Sequence, residues 1–267
     1  MNIKGQFFAF NIWDIGSAKA VINAHSLQSA FLQTSSKVFT SLDKQEFIYS
    51  IRRYAKKTKT DVTIHLDHCR DIEIIREAVY YDWDSVMFDG SHLTLEENIT
   101  LTNMVSDICK PQNVLVEAEV GQVRGVEDDI SVIEENTANI KDVVTFINNT
   151  KIDLLAVAIG TAHGQYKGIK PNINYGMIAE IGKLTDIPFV IHGGSELTDE
   201  VLRKLFSYGN VKKINISTDV KQAYRQGILR ALENGLLNEN GFDATKVNTA
   251  IYESIKEMVV NKLKVLH

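Results

Sequence analysis

Apolar and polar positions alternate in short bursts along this chain, and most bursts stop on a polar or ionisable residue. In Asp61-Val62-Thr63-Ile64-His65-Leu66-Asp67-His68, Val62, Ile64 and Leu66 share one face, while Thr63, His65 and Asp67 share the other. That period of two predicts a strand, with His68 just past its end. Comparable runs go from Phe7 to Phe10 before Asn11, Ala30 to Gln33 before Thr34, Ser85 to Phe88 before Asp89, and Asn113 to Val116 before Glu117. Three more follow: Asp153 to Ile159 before Gly160, Ile187 to Ile191 before His192, and Val211 to Ile216 before Ser217.

Between these runs the period changes to that of helices. Ile72, Ile75 and Val79 share one helical face, as do Leu101, Val105 and Ile108. Thr94 with Glu97 is a capping-box start, in which each side chain satisfies an unpaired backbone N–H. Thr198-Asp199-Glu200 opens a further helix with acids at its positive end, and Gly209 is placed to cap it. Strands alternating with helices imply parallel pairing, since each parallel pair needs a crossover. About eight such units predict an α/β protein with a closed (β/α)8 TIM barrel. An open doubly wound sheet would gather its polar strand ends at one switch point, whereas here they recur along the whole chain.

Composition changes this picture little. With 44% hydrophobic and 24% charged residues, the 267-residue chain has enough apolar material for a large core. Only three prolines and no Ser/Gly-rich stretch favour one domain over 1–267. A formal net charge of -5 argues against nucleic acid or an anionic membrane as the main partner. Two cysteines without a CxxC, no apolar leader and no membrane-length apolar run predict a cytoplasmic protein.

The polar strand ends carry the chemistry. His68, His163 and His192 all fall at or just after strand ends, so a barrel would bring them to one rim. Three histidines with an open position are the ligand set of a catalytic zinc, whereas each alone reads equally well as a turn histidine. His65 lies inside its strand and is expected to be packed or supporting. His192-Gly193-Gly194-Ser195 sits between strand and helix, where backbone amides can cradle an anion, and Asn215-Ile216-Ser217-Thr218 would lie beside it. Gly121 to Asp129 has two glycines, no apolar period and a cluster of acids, which predicts a mobile surface lid.

Together with Val116-Glu117-Ala118-Glu119-Val120-Gly121 and Ile159 to Gly168, these motifs resemble the class II, zinc-dependent ketose-bisphosphate aldolases, a family that includes the fructose- and tagatose-bisphosphate enzymes. The resemblance runs in order from about Phe7 to the C-terminus. It implies one catalytic Zn²⁺ per chain on His68, His163 and His192, with Asp89 and Glu119 as an alternative or second cation position open to a monovalent ion. Asp67 would protonate the aldehyde oxygen, and Glu127 would remove the ketose carbon proton. Asn11, Gly164 and Lys167, with Gly193, Gly194 and Ser195 on one strand end and Asn215, Ser217 and Thr218 on the next, would hold a phosphorylated ketose. Dihydroxyacetone phosphate and an aldehyde would be the products, and a homodimer or homotetramer the assembly.

Three positions depart from the family pattern: Cys69, Arg124 and Glu196. An acid at 196 would repel a dianion in the adjacent cradle, and Cys69 is expected to be a small packed side chain. Arg225 and Arg230 are candidates for a distal phosphate but match no family position. Two other readings stay open: an aldolase for a different aldehyde, and a phosphosugar-binding barrel with altered catalysis. A metal-dependent barrel hydrolase would need His-x-His on the first strand, where Phe8-Ala9-Phe10-Asn11 offers none.

Overall fold

The structure is a computed structural model that describes residues 5–25, 29–127, 130–132, 138–164 and 171–267, and of 124–127 and 130–132 the backbone alone. Eight parallel strands close into a barrel: β1 (Phe7–Asn11), β2 (Ala30–Ser35), β3 (Val62–Cys69), β4 (Ser85–Phe88), β5 (Leu115–Val120), β8 (Leu154–Val157), β10 (Phe189–Ile191) and β11 (Val211–Ile216). Each coincides with one of the eight apolar runs. β1 pairs with both β2 and β11, and that second pairing closes the ring. The remaining strands, β6 (Arg124–Glu127), β7 (Ile130–Val132) and β9 (Ala162–His163), form a separate small sheet in the order β7-β6-β9.

Alternation along each strand sorts the residues into two environments. Ile64 and Leu66, Val116 and Ala118, and Ile214 and Ile216 face outward into the main core beneath the helices. Toward the strand N-termini, Leu115, Leu154, Ala156 and Val190 form a second, small apolar cluster that fills the lumen. Above it the inward positions are polar, five of them ionisable: His65 and Asp67, Glu117 and Glu119, and Lys213, with the amide Asn215. All six are buried.

The helices begin where their caps dictate. Thr94 and Glu97 make both arms of the capping box of α5 (Leu95–Cys109), and Thr198 caps α8 (Asp199–Phe206). Gly209 does not end α8: Ser207 does, and Gly209 belongs to the turn into β11. The buried face of α5 is also rotated from the Leu101/Ile108 stripe toward Asn98, Thr102 and Val105. The reason is local, because Asn98 donates to the Glu119 carbonyl at 2.9 Å and must face the barrel. After the last strand, α9 (Thr218–Glu233) and α10 (Ala244–Leu263) pack on each other, and α10 packs on α1 (Ile15–Ala24). The α9–α10 crossing depends on Gly227, where an added Cβ would lie 2.4 Å from the Ile251 Cα. Backbone cannot move aside as a side chain can. Gly227→Ala is therefore expected to destabilise the protein by about 1–3 kcal/mol despite alanine's better helix propensity, read as a lowered denaturation midpoint with an unchanged m-value.

Candidate active site

The site forms at the C-terminal rim because four strand ends carry ionisable groups to it. His68 and Asp67 are neighbours on β3, and strict alternation would point them to opposite faces. A register shift between Leu66 and Cys69 in the β3–β4 pairing breaks that alternation. His68 itself takes a left-handed φ of 47°, which turns its ring toward the rim. His163 arrives on β9, which pairs with β6, and not at the end of β8 itself. His192 directly follows β10.

The three histidines expected to meet do so. Ring centroids lie 4.5 Å apart for His68–His192, 4.9 Å for His68–His163 and 5.8 Å for His163–His192. Each ring offers one nitrogen to a group whose members all lie within 4.8 Å of one another. A second group shares His68 and adds Asp89 and Glu119. His192 Nε2 lies 2.9 Å from Glu117 Oε1, so that nitrogen carries the proton and donates. Its Nδ1 is buried and makes no hydrogen bond, like both ring nitrogens of His68 and Oε1 of Glu119, although His68 Nδ1 lies 3.7 Å from Asp89 Oδ2 and His192 Nδ1 3.8 Å from Glu119 Oε1. Buried lone pairs aimed at a common point are what a divalent ion requires, so the donor set fits one.

Charge in the cluster is unevenly held. Burial and the adjacent His68 push His192 down to about 4, so it stays neutral. Burial disfavours a charged His68 as well, but Asp67, Asp89 and Glu119 outweigh it and hold this imidazole well above its ordinary value. Burial together with Asp89, Glu117 and Asp67 keeps the Glu119 carboxyl well above the usual range. Burial also opposes ionisation of Asp89, yet His68, Ser91 and Arg70 hold it well below that range. Arg70 Nε donates to Asp89 Oδ2 at 3.0 Å, and Ser91 donates from both its amide and its hydroxyl.

Asp67 is held from two sides. Gln33 Nε2 donates to its Oδ2 at 3.0 Å, and Asn215 Nδ2 to its Oδ1 at 3.2 Å. The same Gln33 amide donates to Asn11 Oδ1, so an amide chain runs from β1 through β2 to β3. Below it, Lys213 Nζ bonds Glu117 Oε2 at 2.7 Å and lies 3.2 Å from His65 Nε2, while His65 Nδ1 meets Ser85 Oγ at 2.9 Å. His65 is thus a supporting residue, as its mid-strand position implied. Burial and Lys213 keep it well below its ordinary pKa, and Lys213, His192 and His65 overcome burial to hold Glu117 ionised. Gln33 and Lys213 carry no motif in the sequence, and Glu117, though inside Val116–Gly121, has no role there that the sequence reveals. Alternation was the signal for Glu117 and Lys213, which share the inward faces of their strands with Glu119 and Asn215; Gln33 has no such neighbour on β2.

At the neighbouring strand ends, Gly193 has φ +68° and would drive a Cβ to 2.3 Å from the Ala162 carbonyl oxygen, so only glycine fits. Gly194 N–H donates to the Asn215 carbonyl. α9 has no side-chain bond from its own N-cap, Ser217. Instead Ser195 Oγ accepts from the amides of Ser217 and Asp219 at 3.1 and 3.3 Å, so the β10 loop caps α9. Ser217 Oγ is left buried without a partner at this junction. Thr218, the first residue of α9, and Gly164, with φ +80°, stand beside it in sequence order and at the β9 end respectively.

Residues 121–129 were expected to form a loop, but 124–127 form β6, hydrogen-bonded to the strand that carries His163 and to β7. The Glu127 side chain, Arg124's and the whole of Lys167 lie outside the described residues. Glu196 is exposed, its amide donating to Asp219 Oδ1, while Asp219 Oδ2 pairs with Lys262 at 2.7 Å. Arg230 pairs with Glu257 on the outer flank of α9 and α10, and Arg225 is exposed on the same helix. Cys69 is a packed residue as expected: it is buried, and burial pushes its thiol up.

Known proteins resemble this chain over nearly its whole length. The model of the family described as fructose-bisphosphate aldolase class-II matches residues 4–267. A sulfofructosephosphate aldolase from Alkalicoccus urumqiensis is 34% identical over 279 residues, spanning 98% of this chain and 96% of that one. Among solved structures, the YdjI aldolase from Escherichia coli K12 superposes with a TM-score of 0.82 at 25% identity, covering 98% of this chain and 91% of that one. Fructose-bisphosphate aldolase from Campylobacter jejuni, at 20% identity, shares the fold with a TM-score of 0.80 over 98% of this chain and 90% of its own. With a family model spanning nearly the whole chain and a relative at this identity over nearly its full length, the protein belongs to the class-II fructose-bisphosphate aldolase family.

Proposed function

We propose that this protein is a divalent-metal-dependent aldolase that splits a ketose 1-phosphate into dihydroxyacetone phosphate and an aldehyde. The observation that carries the reading is the convergence of His68, His163 and His192 beside Asp67, with buried nitrogens of His68 and His192 that make no hydrogen bond. An ion on these three ligands, zinc by family habit, would supply Lewis-acid stabilisation of the charge that carbon–carbon cleavage leaves next to a ketone.

The chain's own groups do the rest. Glu117 accepts from His192 Nε2 and so presents Nδ1 as the ligand atom, while Lys213 keeps Glu117 ionised. Asp67, fixed by Gln33 and Asn215, takes the hydroxyl proton during cleavage and returns it to the aldehyde oxygen during condensation. Glu127 exchanges the carbon proton of the three-carbon product. Its strand β6 runs alongside the His163 segment, which supports a base carried on the same flap as a ligand. Arg70 already neutralises Asp89, so a second cation at His68, Asp89 and Glu119, monovalent by the family resemblance, would share its carboxylate with a guanidinium. The two buried free cysteines suit a cytoplasmic setting, and a homodimer or homotetramer follows from the family resemblance.

Three phosphorylated ketoses are the substrates to try: fructose and tagatose 1,6-bisphosphates, and, given the relative's name, sulfofructose phosphate. In a coupled assay at least one should release triose phosphate, with activity lost to a chelator and restored by Zn²⁺. Release from none of the three, with chelator and zinc without effect, would overturn the reading.

A further inference from the structure

Lys213 is the only buried lysine among the described residues. Its ammonium reaches across the lumen from β11 to β5, where Nζ donates to Glu117 Oε2 at 2.7 Å. On the way it lies 3.2 Å from His65 Nε2 on β3 and 5.1 Å from the centre of the Phe31 ring. An ammonium has three donors and no acceptor, so His65 Nε2 must accept here. His65 therefore carries its proton on Nδ1 and donates it to Ser85 Oγ at 2.9 Å. In that state His65 can donate to neither of the carboxylate oxygens 3.8 Å from its Nε2, Asp67 Oδ1 and Glu117 Oε2. Lys213 is thus the donor that holds Glu117 Oε2, and Oε1 is left for His192 Nε2 at 2.9 Å.

A buried ion pair is a poor device for stability alone, since apolar residues of the same volume often serve as well. Its placement gives it another use. We propose that Lys213 is a positioning residue for the metal: it pins Glu117, so that His192 is held in one tautomer and one orientation, and in this way raises the affinity of the three-histidine site for a divalent ion. A histidine whose far nitrogen donates to a fixed carboxylate is a better-aimed and more basic ligand than one whose partner can rotate away. β11 then serves both arms of the site, with Lys213 steering a ligand and Asn215 steering Asp67. This role rests on the metal reading above and adds to it the residue that tunes the hold on the ion.

The test measures zinc affinity by chelator competition on the full-length protein, comparing the parent with Lys213→Met, Glu117→Gln, the double variant and Ser85→Ala. Lys213→Met should weaken zinc binding by about tenfold or more, within the roughly 10–100-fold that outer partners of a ligand are worth. In the Glu117→Gln background the same substitution should change affinity by less than about twofold, because the carboxylate it acts through is gone. Ser85→Ala removes a hydrogen bond at the other end of the network and should leave zinc affinity within about twofold of the parent. A lysine with a merely structural role would instead cost the same factor in both backgrounds. Thermal unfolding of the metal-free proteins shows which variants fold. Lys213→Met leaves a buried carboxylate without its cation, whereas the double variant exchanges the ion pair for two neutral side chains. Should only the double variant fold, affinity equal to that of Glu117→Gln supports the role and a further loss overturns it. Full zinc affinity in Lys213→Met overturns it, as does an equal loss in both backgrounds or in Ser85→Ala. A parent that binds no zinc overturns the metal reading, and this role with it.

Discussion

His192→Ala is expected to leave the protein folded but nearly metal-free after dialysis, with no measurable aldol cleavage. In the proposed site three imidazoles would form the tight ligand set, and losing one would remove both a bond and the geometry of the other two. The loss of affinity should exceed the roughly 10–100-fold that removal of an outer hydrogen-bonding partner costs. Glu117→Gln supplies that comparison in the same molecule, since Glu117 touches His192 Nε2 and would not touch the ion. Gln can still accept that bond, so Glu117→Gln should retain metal with weakened affinity while His192→Ala loses it. Chelator competition followed by elemental analysis gives both numbers, and thermal unfolding checks that the fold survives. Full zinc and full turnover in His192→Ala would end the three-histidine assignment.

Separating the two proton transfers is the second large effect. Asp67→Ala should keep its metal and lose cleavage by about 10²–10⁴-fold, the usual cost of a general acid/base. It should still exchange the carbon proton of dihydroxyacetone phosphate with solvent deuterium when no aldehyde is present. Glu127→Gln should show the reverse emphasis, with exchange itself abolished. The physical basis is position. Asp67 is clamped on β3 by Gln33 and Asn215 and belongs to the barrel, whereas Glu127 belongs to the small sheet over His163. Loss of zinc from Asp67→Ala would recast it as a ligand or orienting residue. Exchange at the parent rate in both variants would send the search for the base to Asp128 or Glu119.

Much of this was legible before any coordinates. Eight apolar bursts became the eight barrel strands because a parallel sheet covered on its outside by helices demands outward Val, Ile and Leu, and that demand is written locally, two residues at a time. The caps of α5 and α8 were equally local, each a matter of a side chain and an amide three residues away. His68, His163 and His192 could be singled out because closure of a barrel turns strand ends into neighbours.

Tertiary structure decided the rest, wherever the deciding partner was distant in sequence. Gln33 holds Asp67 across 34 residues, Glu117 orients His192 across 75, and Lys213 reaches Glu117 across 96. Nothing near these residues announces such pairs, because they meet only when the ring of strands is closed. Pairing between distant segments also decided that 124–127 is a strand, since its partners are the His163 segment and β7, and the left-handed φ of His68 falls within the β3–β4 register shift. Local alternation determined which residues face the lumen; closure of the barrel determined which of them touch, and so which atoms are left free to bind.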